Sequence, residues 1–139
     1  MERRRAILAV KPHFARALVA GEKRFEFRRA HPGFETGDVI YVYATAPVQA
    51  VLGYFICDRI IEGTPRELSE NYEGGPEFTG SFLRSYFQGR TKGYAIQVKD
   101  PRAWTSPLTL DTLREIIPGF HPPRSYRFLA DGLDLDGDT

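Results

Sequence analysis

One cysteine, one methionine and one tryptophan occur among the 139 residues. The lone Cys57 has no partner for an internal disulfide, and its setting after Tyr54-Phe55-Ile56 and before Ile60-Ile61 marks it as a small core hydrophobe. His13, His31 and His121 stand apart from one another and from the cysteine. Neither H-E-x-x-H, paired C-x-x-C nor G-x-G-x-x-G occurs, so no metal site and no cofactor is expected. Long apolar runs are missing as well. Glu2 and Arg3-Arg4-Arg5 are followed by only five apolar residues before Lys11, too few for a secretory leader or a membrane span. The expectation is a cytoplasmic protein without membrane association.

Nothing divides the chain into repeats or separates it with a hydrophilic linker, and its length suits one hydrophobic core. Ten Phe and seven Tyr supply bulky core material, which excludes wholesale disorder. A net charge of +1 conceals an uneven distribution. Residues 1–29 carry nine Lys or Arg against three Glu, whereas the last ten residues carry only Asp. The chain reads as a basic leader at 1–5, a folded domain at 6–129, and an acidic tail at 130–139 that is expected to be disordered. Asp134 to Asp138 has the beginnings of a calcium loop, but it lacks the distal glutamate such a loop needs.

Hydrophobic periodicity gives the elements. Ala6 to Val10 (AILAV) is a buried-strand run, and Pro12 suits the first turn of a helix because its missing N–H costs nothing there. Phe14, Ala17, Leu18 and Val19 form that helix's apolar stripe, and Gly21 marks its end. Lys23 to Arg29 (KRFEFRR) alternates with period two, placing Phe25 and Phe27 on one side and Arg24, Glu26 and Arg28 on the other. Strands are expected over Val39 to Ala44 and over Gln49 to Ile61, the second with a bulge at Gly53. Thr64-Pro65-Arg66-Glu67 is a capping-box pattern. Phe78, Phe82, Leu83 and Tyr86 predict a helix, Tyr94, Ile96 and Val98 a strand, Leu108 to Ile117 a last helix, and Tyr126 to Leu129 a last strand. Five or six strands between helices of unequal length do not read as regular βαβ winding, so a curved or barrel-like sheet is expected.

The KRFEFRR segment carries the strongest functional signal, since four cations and one carboxylate on a short aromatic strand exceed what solubility requires. Arg28 or Arg29 can fork onto a phosphate or a base edge, with Lys23 as a point charge on the same backbone and Glu26 accepting from an exocyclic amine. One alternative is a set of solvated charges, and another is that Glu26 is a structural partner that holds Lys23 or Arg28 in place. Lys11-Pro12 adds a cation where a strand turns into a helix. Tyr43-Ala44-Thr45-Ala46-Pro47 ends a strand in the kind of loop that lines sites. Pro122-Pro123-Arg124-Ser125-Tyr126 sets a cation and a hydroxyl beside a ring able to stack on a base.

Together, Leu8-Ala9-Val10-Lys11-Pro12, the Gly-x-Lys-x-x-Glu-x-Arg pattern of Gly21, Lys23, Glu26 and Arg28, Gly37-Asp38, Tyr43 to Pro47 and Pro122 to Tyr126 resemble the ASCH domain family in order and spacing. The resemblance runs from about Ile7 to Leu129. It implies an α+β, PUA-like fold: a small, mostly antiparallel β-barrel of five to six strands with three to four flanking helices. It also implies a cleft that binds RNA or nucleotides. Some small bacterial members hydrolyse the acetyl group of N4-acetylcytidine with a Lys, a Thr and a Glu. Lys23 matches that lysine, Glu26 stands at the threonine's position, and Glu73 or Glu77 aligns loosely with the acid.

Three functions follow as expectations. In a module for RNA or nucleotides, with DNA also possible, Lys11, Lys23, Arg28 and Arg29 position phosphates while Glu26, Tyr43, Thr45 and Tyr126 contact a base or ribose. In a small hydrolase, amidohydrolase or ribonuclease, Lys23 and Glu26 handle protons in the same cleft. In a protein-interaction module, Glu67, Glu70, Glu73 and Glu77 form the partner surface.

Overall fold

The computed structural model describes residues 3–72 and 80–137. Six strands and four helices follow one another as β1 (Arg5–Val10), α1 (Pro12–Ala20), β2 (Phe25–Arg28), β3 (Val39–Ala44), β4 (Ala50–Gly63), α2 (Pro65–Asn71), α3 (Gly80–Tyr86), β5 (Gly93–Thr109), α4 (Leu110–Ile116) and β6 (Tyr126–Phe128). The strands form one sheet in the order β2-β5-β4-β3-β1-β6, with β1 and β3 parallel and every other pair antiparallel. This is the expected α+β architecture, a mixed half-barrel with flanking helices.

Both faces of the sheet are covered. Ala6, Leu8 and Val10 of β1 face a core shared with Phe14, Ala15, Leu18 and Val19 of α1, while Ile7 and Ala9 face a second core around Tyr41, Tyr43, Trp104 and Phe120. A strand covered on both sides needs a continuous apolar run, which is why AILAV does not alternate. A third core under α2 and α3 joins Phe27, Leu68, Leu83, Phe87 and Ala95.

Local rules place the ends of the elements. Pro12 opens α1, and Gly21 closes it in the left-handed conformation at φ 80°, donating to the carbonyls of Ala17 and Leu18. Ala15 rather than Ala17 completes the buried stripe of α1. Thr64 and Glu67 form the capping box of α2, each side chain accepting from the other's backbone N–H. Phe78, assigned to the third helix, lies outside the described residues.

Gly53 sits at an irregularity of the β4–β5 pairing with φ 156°, and a Cβ there would meet the Arg102 carbonyl oxygen at 1.9 Å. Only glycine lets the two strands approach that closely.

Three expectations change. The strand read at Tyr94 to Val98 continues to Thr109, because Asp100 (φ 47°) and Pro101 fall in a bulge instead of ending it, and Leu108 therefore belongs to β5 and not to α4. The leader is not free of the domain either. Arg5 begins β1, and Arg4 grips the buried Asp38 carboxylate through Nε at 3.1 Å and Nη2 at 2.6 Å. Nor is the tail disordered as far as Gly137. Leu135 is buried, the Tyr41 hydroxyl donates to Asp134 and accepts from the Leu135 N–H, and Gly137 lies against the Trp104 ring. Two apolar side chains, Leu133 and Leu135, and the absence of a side chain at residue 137 give this acidic segment a docking face.

Candidate functional site: a basic cleft over a buried Lys-Glu-Arg cluster

The tight end of α1 sets the site. Glu22 and Lys23 both donate their N–H to the Ala17 carbonyl, which turns the chain back under the helix. Lys23 is thereby buried at 1% exposure, its ammonium lying 5.4 Å from the Phe14 ring centre and 5.9 Å from that of Phe27. Its Nζ donates to the Phe25 carbonyl at 2.9 Å and to Glu26 Oε1 at 2.5 Å. Two residues on, Arg28 donates from Nε and Nη2 to Glu26 Oε2 at 3.1 and 2.7 Å, and from Nη2 to the Ala9 carbonyl at 2.8 Å.

Strand alternation explains the position of Glu26. It pairs with Ile96, whose side chain faces the α1 core, whereas its neighbour Phe27 pairs with Ala95 and faces the core under α2 and α3. Glu26 is thus 5% exposed, which overturns the solvated reading for this residue, while its structural reading as the partner that holds Lys23 and Arg28 is met. A buried carboxylate persists only if paired and hydrogen-bonded. Burial alone pushes the Glu26 carboxyl up, but Lys23 and Arg28 together overcome this and hold it below its ordinary value. Burial lowers the Lys23 ammonium, with Glu26 opposing and Arg28 assisting. One carboxylate divided between two cations is itself fully compensated and leaves Lys23 undercompensated.

Above this cluster opens a cleft of about 360 Å³, lined among others by Val10, Lys11, Phe14, Glu26, Arg28, Arg29, Thr45, Phe82, Tyr86 and Arg124. Four cations and one carboxylate line it, and both oxygens of that carboxylate are already engaged. Lys11, Arg29 and Arg124 are exposed. The Arg29 guanidinium lies 4.5 Å from the Tyr86 ring centre while its Nε donates to the Tyr86 carbonyl. The Phe82 and Tyr86 rings are near parallel at 6.2 Å, and the Tyr86 hydroxyl donates to the Phe27 carbonyl. The arrangement presents exposed positive charge at the rim over an aromatic wall, a combination chemically suited to an anion attached to a flat or apolar group.

Six of the ten residues singled out from the sequence line this cleft: Lys11, Glu26, Arg28, Arg29, Thr45 and Arg124. Lys23 lies beneath it. Tyr43 does not reach it, because in β3 Val42 and Ala44 face α1 and Tyr43 therefore faces the opposite core, its hydroxyl buried without a hydrogen-bond partner among the described residues. Ser125 is exposed and takes part through its carbonyl, which accepts from the Ala9 N–H. Tyr126 stands outside the cleft. Sequence shows Phe82 and Tyr86 only as part of a helical stripe, since four-residue spacing carries no sign of which face meets solvent. Glu73 and Glu77 lie outside the described residues. Among the described residues, no group of three His, Cys, Asp or Glu is placed to hold a metal, and no helix is long and apolar enough to cross a membrane.

Residues 8–102, which include the whole Gly21-Lys23-Glu26-Arg28 pattern, match the ASCH domain family. The chain belongs to that family. It is 34% identical over 128 residues to an ASCH domain-containing ribonuclease of Zymomonas mobilis, covering 92% of this chain and 86% of that one. The crystal structure of ASCH from Zymomonas mobilis matches with a TM-score of 0.87 at 34% identity, over 94% of this chain and 90% of the other. A Leishmania major protein, at 13% identity and a TM-score of 0.59 over 95% of this chain and 90% of its own, shares the fold alone. In this ASCH domain the motif residues Lys23, Glu26 and Arg28 form the floor of the cleft, and the charges that meet solvent come from Lys11, Arg29 and Arg124, which lie outside that pattern.

Proposed function

We propose that this ASCH domain binds single-stranded RNA, with phosphate held at Lys11, Arg29 and Arg124 and one unstacked base lodged in the cleft against Phe82 and Tyr86. The observation that carries the reading is the cleft itself, with exposed cations over an aromatic wall and a carboxylate kept from repelling phosphate by two neighbouring cations. A volume of about 360 Å³ lies at the lower end for small-ligand sites and suits one nucleotide, not a duplex. Phosphate contacts from Arg and Lys with stacking on aromatic rings are the ordinary means of holding single strands. Titrating short single-stranded and duplex RNA and DNA into the protein at several salt concentrations tests it. Saturable preference for single-stranded RNA is the expected result, and equal binding of all four that vanishes with salt refutes it.

A second reading, cleavage of the bound RNA, is favoured by the 34% identity to a protein named a ribonuclease. Cations that grip a phosphodiester also stabilise the charge that builds on it in the transition state. Incubation of end-labelled RNA with the protein, followed by sizing of the products, tests this; intact RNA after prolonged incubation refutes it. Hydrolysis of an acetylated cytidine requires Lys23 to reach its substrate, and that ammonium is engaged by Phe25 and Glu26 below the cleft.

A further inference from the structure

Tyr126 is one of two large hydrophobic side chains exposed among the described residues, at 36%. It pairs with Leu8 across the β1–β6 ladder, and Leu8 faces the α1 core, so Tyr126 stands on the cleft's side of the sheet. Phe34 and Phe128 hold its ring from perpendicular orientations, with centres at 5.3 and 6.0 Å and interplanar angles of 75° and 86°. Phe34 is itself buried at 4%, and the Arg4 guanidinium lies 4.5 Å from the Phe128 ring centre, so both supporting rings are themselves packed. Neither neighbour is stacked parallel on Tyr126. Arg124, two residues earlier across the bend that leads into β6, lines the cleft. A cation at the rim therefore leads from the cleft to an open, braced aromatic ring.

From this juxtaposition we infer that Tyr126 is a stacking platform for the nucleotide next to the one in the cleft, with the linking phosphate at Arg124. This rests on the cleft reading above and deepens it. The substrate class is a single-stranded chain of at least two nucleotides, and a free mononucleotide fills only half of the site. Stacking of one base on an aromatic side chain is sequence-tolerant, so the platform adds affinity for length and not for a particular base.

The test compares a 5′-phosphorylated mononucleotide with the corresponding di- and trinucleotide on the wild-type protein and on Tyr126→Ala and Tyr126→Trp. The wild type should bind the dinucleotide about tenfold more tightly than the mononucleotide. Tyr126→Ala should erase that advantage and leave mononucleotide affinity unchanged. Tyr126→Trp should keep it, and its added fluorescence, referenced to the wild type, should be quenched by the dinucleotide and not by the mononucleotide. If the mononucleotide binds and the advantage is the same in Tyr126→Ala as in the wild type, the platform is refuted and the cleft stands. If none of the three ligands binds the wild type, both fall together.

Discussion

Arg28 reaches back nineteen residues to donate from Nη2 to the Ala9 carbonyl at 2.8 Å, and this bond ties β2 to β1 where no strand pairing joins them. The two strands lie at nearly opposite ends of the sheet order, so the cleft lies along the open seam of the half-barrel, and the Arg28 guanidinium spans its floor.

Replacing Arg28 therefore acts on stability first. Arg28→Ala removes the seam contact and half of the compensation of a buried carboxylate, which should cost about 2–3 kcal/mol, somewhat less than loss of a sole partner because Lys23 remains. Arg28→Lys keeps the charge but not the fork that serves Glu26 and Ala9 together, and it should recover less than half of the loss. Urea denaturation of the three proteins measures this. Unchanged midpoints in Arg28→Ala would remove the structural role.

The buried pair also predicts a pH profile. The Glu26 carboxyl is held below its ordinary value, so its contribution is present above about pH 4.3 and is lost as pH falls through the lower folded value. The Lys23 ammonium is lowered, so the folded protein binds fewer protons than the unfolded chain just below about pH 10.4, and stability rises with pH through that window. In Glu26→Gln the acid limb should flatten, and the alkaline rise should steepen and begin at lower pH, because Lys23 has lost its counter-charge. Unfolding midpoints collected from pH 3 to pH 10 give both limbs. A profile of Glu26→Gln parallel to that of the wild type would contradict the assignment.

Much of this architecture is readable from local signals. The buried run Ala6 to Val10, Pro12 and Gly21 at the ends of α1, and Thr64 with Glu67 at the start of α2 each obey rules that act within a few residues. The site is legible in part for the same reason, since Lys23, Glu26 and Arg28 are near neighbours in sequence. What local pattern does not reveal is which side of β2 becomes interior. Glu26 looks like a surface residue until β5 and α1 cover it, and that depends on contacts with residues some 70 positions away, such as Ile96. Tyr43 fails in the opposite sense: the strand-end loop suggests a site, but alternation sends its ring to the other core. The tail escapes because its composition is acidic while its docking rests on Leu135 and on a glycine opposite Trp104.

The rim cations should behave unlike the floor. Lys11, Arg29 and Arg124 are exposed, and alanine at Lys11 or Arg124 should change stability by less than about 0.5 kcal/mol, whereas Arg29→Ala, which gives up the bond to the Tyr86 carbonyl and the contact with its ring, should cost about 1 kcal/mol. Each substitution should weaken RNA binding across sequences and reduce the slope of log affinity against log salt by about one unit. Arg29→Ala should have the largest effect, because it also releases Tyr86, whose ring and carbonyl Arg29 anchors at the cleft wall. Titrations at four or five salt concentrations supply the slopes, and a slope unaltered in all three variants would show that phosphate lies elsewhere.

The packed tail makes a prediction that is separable from the cleft. Trp104 is the only tryptophan, it faces the core opposite α1, and a Cβ on residue 137 would come within 2.2 Å of its ring. Gly137→Ala should therefore lift the segment and move tryptophan emission to longer wavelength. Leu135→Ala, which deletes a side chain 3% exposed, should cost about 2–3 kcal/mol with the same spectral change. RNA affinity should stay at the wild-type level in both, since the cleft lies on the other face of the sheet. Emission and midpoints that match the wild type would mean that the tail does not hold this position in solution. Altered affinity with the spectral shift would mean that the two faces are coupled through β1, whose Ile7 and Ala9 face the tail's core while Leu8 and Val10 face α1 and the cleft.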